Sequence, residues 1–392
     1  MITLSPDQAR ILVLHCQRLP ASKPAQALAT TLNLIEHLGY VQIDTISVVE
    51  RAHHHTLWSR NPGYAPEQLD TLLAERQVFE YWAHAAAYLP MRDFRFTLPR
   101  KAAIASGELD HWYARDTQLM HEVLERIRQE EPLQARDFEG SNTAKPGDWH
   151  SKPAKRALEY LFHQGDLMVT RRQGFQKVFD LSERVLPPEV DTRMPTPQEQ
   201  AHFLLTRFLE ANGLGQVAEA GYLRKQVGPL LQQAAQDMLE EGTLVTVQVE
   251  GHSWLTLPRT LELLEAPLAL STISILSPFD NLLIQRRRMQ ALFGFDYQIE
   301  CYLPAAKRRF GYFSLPVLWK GCFVARIDCK AERRESILKV LQFVPEPHLK
   351  ADSESYAAFG QQLEQALTDF MSFNRCQSWV WQAAERPDGL LR

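Results

Sequence analysis

An order of elements that recurs three times along the chain limits the folds open to it. In each stretch, apolar residues at helical spacing give way to two alternating runs joined by a tight turn. In the first, Leu28, Leu32, Ile35 and Leu38 make one helical stripe that Gly39 ends. A helical segment over about 47–60 and another opened by Pro66 (Leu69, Leu72, Leu73) follow, and residues 78–82 and 85–89 read as a two-stranded wing. In the second, helices near 117–130 and 133–138 and a polar loop over 139–153 lead to a third helix with Leu158, Leu161 and Phe162 inward. A hairpin over 167–181 then turns at Arg171-Arg172-Gln173-Gly174. In the third, Ala201, Leu204, Leu205 and Phe208 stripe a helix and residues 222–241 supply another. Val245, Val247 and Val249 then alternate into a turn at Glu250-Gly251. Helices followed by a β-wing is the winged-helix order, a variant of helix-turn-helix. The interval is about 90 residues and the sequences differ, so supersecondary structure repeats rather than sequence.

An N-terminal helix precedes the first unit, with Ser5 as N-cap, Pro6 at its first position and Ala9, Leu12, Val13 and Cys16 inward. From about residue 270 the texture changes. Stretches 272–276, 297–303, 310–318, 322–329 and 337–344 read as strands, with a hairpin turn at Lys320-Gly321, and suggest a small barrel or curled sheet. Tyr356, Phe359, Leu363, Ala366 and Phe370 stripe a last helix, and the final 20 residues show little pattern. The expected fold is α+β: winged-helix units over 1–110, 111–190 and 191–262, packed on a β-barrel with a terminal helix over 263–392. The Pro187-Pro188 and Pro195/Pro197 cluster marks one boundary.

Several function classes drop out on bulk grounds. At 392 residues, 45% hydrophobic and 23% charged, the chain reads as a soluble protein of two to four domains. No apolar run approaches the ~20 residues of a membrane span, and the N-terminus lacks a signal-peptide pattern. Five cysteines without CxxC spacing favour a reducing cytoplasm and offer neither a disulfide framework nor a zinc site. GxSxG, Walker A and dinucleotide fingerprints are missing. Net charge is −4, so nucleic acid could bind only where positive charge is concentrated. Arg286-Arg287-Arg288 and Lys307-Arg308-Arg309-Phe310-Gly311-Tyr312 are such concentrations, and the second interleaves aromatics. Lys152, Lys155, Arg156, Arg171, Arg172 and Lys177 collect on the helix and wing of the second unit. A solvated charge run is the alternative for each cluster alone; their coincidence with wings favours DNA.

After Gly39 the period switches to two, so Gln42 and Asp44 fall on one face of an extended run and Val41, Ile43 and Thr45 on the other. An amide and a carboxylate set about 6.5–7 Å apart can hold one water between them; the plainer alternative is the solvated face of a half-buried strand. His53, His54 and His55 point about 100° apart if helical, which argues against one shared metal ion. Trp82 and His84 could line a site or pack in a core.

The run Val41-Gln42-Ile43-Asp44-Thr45-Ile46, followed by Arg51 and by Leu57 and Arg60, resembles the signature of the YcaQ-like DNA glycosylases, the AlkX/AlkZ family. Glu80-Tyr81-Trp82-Ala83-His84, Leu276-Ser277-Pro278-Phe279-Asp280, Glu300-Cys301-Tyr302 and Lys307-Arg308-Arg309-Phe310-Gly311-Tyr312-Phe313 fit it too, in the same order from about residue 5 to 375. The resemblance implies three tandem winged-helix units on a β-barrel. It also implies a monofunctional glycosylase that removes N7-alkylated purines and unhooks interstrand crosslinks. The family's catalytic pair is a glutamine and, two residues on, an acid or a second glutamine; Gln42 and Asp44 resemble the acid-bearing branch. Phe310 stands where a tyrosine is usual. The expected site is then Gln42 and Asp44 as catalytic residues, with Arg51, His54, Arg60, Trp82, His84, Arg171, Arg172, Lys307, Arg308 and Arg309 toward double-stranded DNA. No cofactor or metal is expected, and a cytoplasmic monomer is. The alternatives are a winged-helix transcription regulator without chemistry and a metal-dependent hydrolase built on His53–His55.

Overall fold

Three small three-stranded sheets and one larger curled sheet organise the chain, in a computed structural model that describes residues 2–21, 24–138, 153–225 and 227–390. The first small sheet joins the short strand Val41–Gln42 to Ala86–Pro90, which pairs in turn with Val78–Trp82. The helices Leu28–Leu38 and Pro66–Ala74 pack against it, burying Ile35, Leu38, Leu69 and Leu72 with Val41, Val78 and Tyr88. The turn into the strand Val41–Gln42 is made by Gly39, whose φ of +78° is reached cheaply without a Cβ.

The second small sheet pairs Leu167–Gln173 with Gln176–Leu181, and the latter with Leu133–Gln134. Residues 133–134 are therefore strand, where a helix is expected over 133–138; only the 3₁₀ turn Ala135–Phe138 is helical. The hairpin is longer than its sequence suggests: Arg171 and Arg172 lie within a strand, and the reversal is at Gly174 and Phe175. The expected loop over 139–153 lies, but for Pro153, outside the described residues, as does Lys152.

The third small sheet pairs Val245–Val249 with His252–Thr256 and gains an unforeseen edge. Ile2–Thr3 adds to it in parallel. The helix Pro6–Cys16, capped by Ser5 as expected, then packs Leu12, Val13 and Leu14 against Val247, Trp254, Leu282 and Phe323. The N-terminal helix thus belongs to a core shared by the third sheet and the C-terminal region, not to the core of residues 28–104. The expected helix over 222–241 is shorter, Gly228–Glu240, and a separate turn Val217–Ala220 precedes it.

The larger sheet runs Ser274–Ile275, Ser314–Trp319, Cys322–Glu332, Ile337–Pro345 and Ser378–Trp381 in spatial order, antiparallel except for the last pair. It curls as a half-barrel over the helix Ser353–Phe373, which buries Phe359, Leu363, Leu367 and Phe370. Two expectations are corrected. Residues 297–303 and 310–313 form a loop, and the C-terminal stretch supplies the strand Ser378–Trp381. Parallel pairing to Ile337–Pro345 creates that strand, and no local signal announces such a partner. No helix among the described residues is long and apolar enough to cross a membrane.

Candidate active site and nucleic-acid interface

Val41 and Ile43 enter the first core, and the Ile43 amide still donates to the Ala86 carbonyl at 2.8 Å. The extended run therefore continues past the strand, and alternation sends Gln42 and Asp44 to its other side. Gln42 is 9% exposed. Its Oε1 lies 3.0 Å from His84 Nε2, so with the amide so oriented the ring donates from Nε2 and stays neutral. Burial, assisted by the Arg224 charge, pushes the His84 pKa down to about 4. Tyr40 stands edge-on to the ring at 5.2 Å and Tyr222 at 5.6 Å. The amide oxygen of Gln42 is thereby committed, while its Nε2 has no acceptor among the described residues.

Asp44 is half-buried and its Oδ1 accepts from the Ile46 amide at 2.7 Å. Burial raises its pKa above the ordinary carboxylate value, against the pull of the Ile46 and Thr45 amides. No basic side chain pairs with it among the described residues. The carboxylate borders the loop that follows Phe295: after burial, its charge is the next cause raising the Cys301 thiol, and it also raises the Tyr302 phenol.

That loop is irregular but tightly held. Glu300 Oε2 accepts the Arg309 and Phe310 amides at 2.8 and 2.7 Å, and Asp328 accepts the Tyr312 and Phe313 amides at 2.7 and 3.1 Å. Gly311 sits at φ +102°, and a Cβ there would come 2.2 Å from Asp328 Oδ2, so the turn needs glycine. The result is a loop pinned by four backbone hydrogen bonds to two carboxylates. Lys307 and Arg309 are exposed, Arg308 lies over Tyr312 at 4.8 Å, and Tyr302 is 74% exposed. Fixed amides, bare cations and an exposed aromatic ring suit a phosphate-lined groove.

The other expected DNA contacts separate. Arg60 is corrected. Its guanidinium and the Asp280 carboxylate are both 0% exposed and are joined by two hydrogen bonds at 2.7 and 2.9 Å, with Gln17 and Thr56 taking the remaining donors. It pins the helix Ala52–Trp58 to the segment 277–283 and has no path to DNA. Arg172 is held by Glu80 at 2.6 and 2.7 Å and by the Phe175 carbonyl, which ties the second hairpin to the first sheet. Arg51 lies over the Phe175 ring at 4.0 Å, and His54 Nδ1 meets the Tyr64 hydroxyl at 2.7 Å. Arg171 is exposed, and Trp82 is half-buried beside Trp112. The three consecutive histidines diverge: His53 stacks on Phe175, His54 goes to Tyr64 and His55 to the Ile275 carbonyl. Of the run Arg286-Arg287-Arg288, only Arg287 is exposed; Arg288 is buried against Asn212 and Leu214. Sequence reasoning quoted Tyr302 only within a motif, and it did not single out Tyr222, Arg100 or Arg224, which line a cavity with His84.

With this geometry in hand, comparison with known proteins is decisive at the level of family. Residues 35–373 match the family described as DNA glycosylase AlkZ-like. The chain belongs to the AlkZ-like DNA glycosylases. It is therefore an enzyme of DNA repair whose substrate is DNA. The Streptomyces sahachiroi DNA glycosylase AlkZ has a similar fold, with a TM-score of 0.62 and 17% identity over 97% of this chain and 100% of that one. The shared family leaves a transcription regulator without chemistry disfavoured for this AlkZ-like protein.

Proposed function

We propose that this glycosylase hydrolyses the N-glycosidic bond of N7-alkylated purines and unhooks interstrand crosslinks, with Gln42 and Asp44 handling the water. The observation that carries the reading is the pairing of an oriented amide with an unpaired, half-buried carboxylate beside the basic loop 300–312. Alkylation at N7 leaves the purine cationic, so the base departs as a neutral molecule and needs little acid help. As the C1′–N bond stretches, positive charge grows on the sugar, and the Asp44 carboxylate stabilises it electrostatically. Water then adds its oxygen to C1′ and gives its proton to Asp44. Gln42, its oxygen anchored by His84, offers the remaining amide face to orient that water, which replaces entropy that would otherwise be lost in the transition state. No lysine nucleophile is needed.

A crosslinked base cannot swing out of a duplex while both strands stay tied, so the lesion is met in the groove. Lys307, Arg308, Arg309 and Arg171 are the proposed phosphate contacts; Arg51, His54, Trp82, His84 and Arg172 shape the walls. We read residues 1–110, 111–190 and 191–262 as three winged-helix units, and 263–392 as the half-barrel and its helix, working as a monomer. Three small sheets of helix-backed strands support that division, except that Ile2–Thr3 and the helix Pro6–Cys16 pack with the third sheet. The test is single-turnover release of N7-methylguanine, and of one strand from a nitrogen-mustard crosslinked duplex. Asp44→Asn and Gln42→Ala should each slow release by at least ~10²-fold while DNA binding survives. Unchanged rates in both would remove these residues from the mechanism.

A further inference from the structure

Behind His84 lies a cavity of ≈ 130 Å³. Its walls come from two directions: Tyr40, Trp82 and Arg100 from the first unit, and Phe208, Tyr222 and Arg224 from residues 208–224. Aromatic rings form part of the lining, beside aliphatic and polar groups, and its charge is unusual. Arg224 makes no side-chain hydrogen bond or ion pair among the described residues. Arg100 makes none either, lies over the Trp82 ring at 5.5 Å, and has its Nε out of solvent and unpartnered. The Arg100 charge reaches Arg224: burial first, then that charge, push the Arg224 pKa down to about 10. Two carboxylates share the wall, but each is already engaged. Asp93 accepts from Arg207 at 2.6 Å, and Glu219 Oε2 accepts the Gln216 amide at 2.8 Å. Both guanidiniums are half-buried and pair with no carboxylate among the described residues, which leaves them to meet an anion from outside.

Flat aromatic walls and an uncompensated arginine pair together specify a planar ring that carries an anionic group. We propose that this cavity receives one nucleotide, its base against Tyr222 and Trp82 and its phosphate between Arg100 and Arg224. Stacking on such rings is tolerant of base identity, and two guanidiniums match phosphate oxygens well. The occupant is either a nucleotide of the bound strand turned out of the stack beside the lesion or a free monophosphate. The strand source rests on the reading that Gln42 faces the reacting sugar, since His84 is common to both sites. Neither the catalytic pair nor the basic loop contributes a residue.

The experiment titrates the full chain with 2-aminopurine deoxyriboside and with its 5′-monophosphate, read by fluorescence quenching. The monophosphate should bind about 10- to 100-fold more tightly, the range for charge-assisted phosphate contacts. Arg100→Gln and Arg224→Gln should erase that preference, and Tyr222→Leu should weaken both ligands alike. Equal affinity for the two ligands in the unaltered protein overturns the proposal without any variant. So does a preference that survives both arginine changes. A duplex bearing one unpaired 2-aminopurine that displaces the monophosphate upholds the strand source; co-binding upholds the free one. Release of N7-methylguanine is measured in parallel. Dependence on Gln42 and Asp44 with no phosphate preference sinks only the cavity, and the converse sinks only the catalytic reading.

Discussion

Removing the guanidinium of Arg60 tests whether its charge belongs to the fold or to DNA contact. Arg60 and Asp280 are both 0% exposed, joined by two bonds of 2.7 and 2.9 Å. Arg60→Met keeps the stem and deletes the fork. Asp280 is then a buried carboxylate without its cation, and Gln17 and Thr56 lose their donors. Breaking one side of such a pair costs about 3–5 kcal/mol, because the abandoned charge stays desolvated. At about 2.1 cal/mol/K of unfolding entropy per residue, a chain of 392 residues unfolding as one unit loses roughly 4–6 °C in Tm. Asp280→Leu alone should cost a similar amount, and Arg60→Met with Asp280→Leu clearly less than the two added. The assays are calorimetry and salt-dependent binding to unmodified duplex. An intact Tm together with weaker binding, and a salt slope smaller by about 0.9, would show that the arginine neutralises a phosphate instead.

Other expectations follow from the same geometry. Lys307→Gln with Arg309→Gln should weaken binding to every duplex alike and lower the salt slope by about 2, measured by fluorescence anisotropy from 50 to 200 mM salt. Because burial raises the Asp44 pKa, the acid limb of base release should lie above the ordinary carboxylate range, and Asp44→Asn should flatten it; a limb near the model-peptide value would contradict the role. Lys101 is buried among Phe79, Tyr81 and Phe94 with its pKa pushed down to about 7. The unfolded chain takes up that proton below ~10.4 and the folded one only below about 7, so the cost grows as pH falls between them and stays below. Lys101→Met should therefore stabilise the protein at pH 7 by a few kcal/mol at most and remove that slope, checked by urea unfolding at pH 7 and 10. His55, pushed down to about 4, acts at lower pH: stability should fall as pH drops from ~6.5 toward 4, and His55→Gln should blunt the fall.

Local pattern carried much of this protein. Ser5-Pro6, the stripe from Leu28 to Leu38 ended by Gly39, the strand Val78–Trp82 and the helix Ser353–Phe373 all follow from capping, period and turn chemistry, which neighbours in sequence decide. That Gln42 and Asp44 lie on the side opposite Val41 and Ile43 was legible for the same reason, as a change of period after a glycine. What lay beyond reach was every feature that a distant partner creates. Ile2–Thr3 is a strand because Val245–Val249 offers an edge, and Ser378–Trp381 because Ile337–Pro345 does. Residues 310–313 read as the start of a strand yet lie in a loop, where the Glu300 and Asp328 carboxylates take the amides of Phe310, Tyr312 and Phe313. Charge was the least legible quantity. Arg60, Arg172 and Arg288 read like Lys307 and Arg309 in the sequence, but a guanidinium's role is set by whether a carboxylate or carbonyl reaches it, and only the packing of the elements decides that.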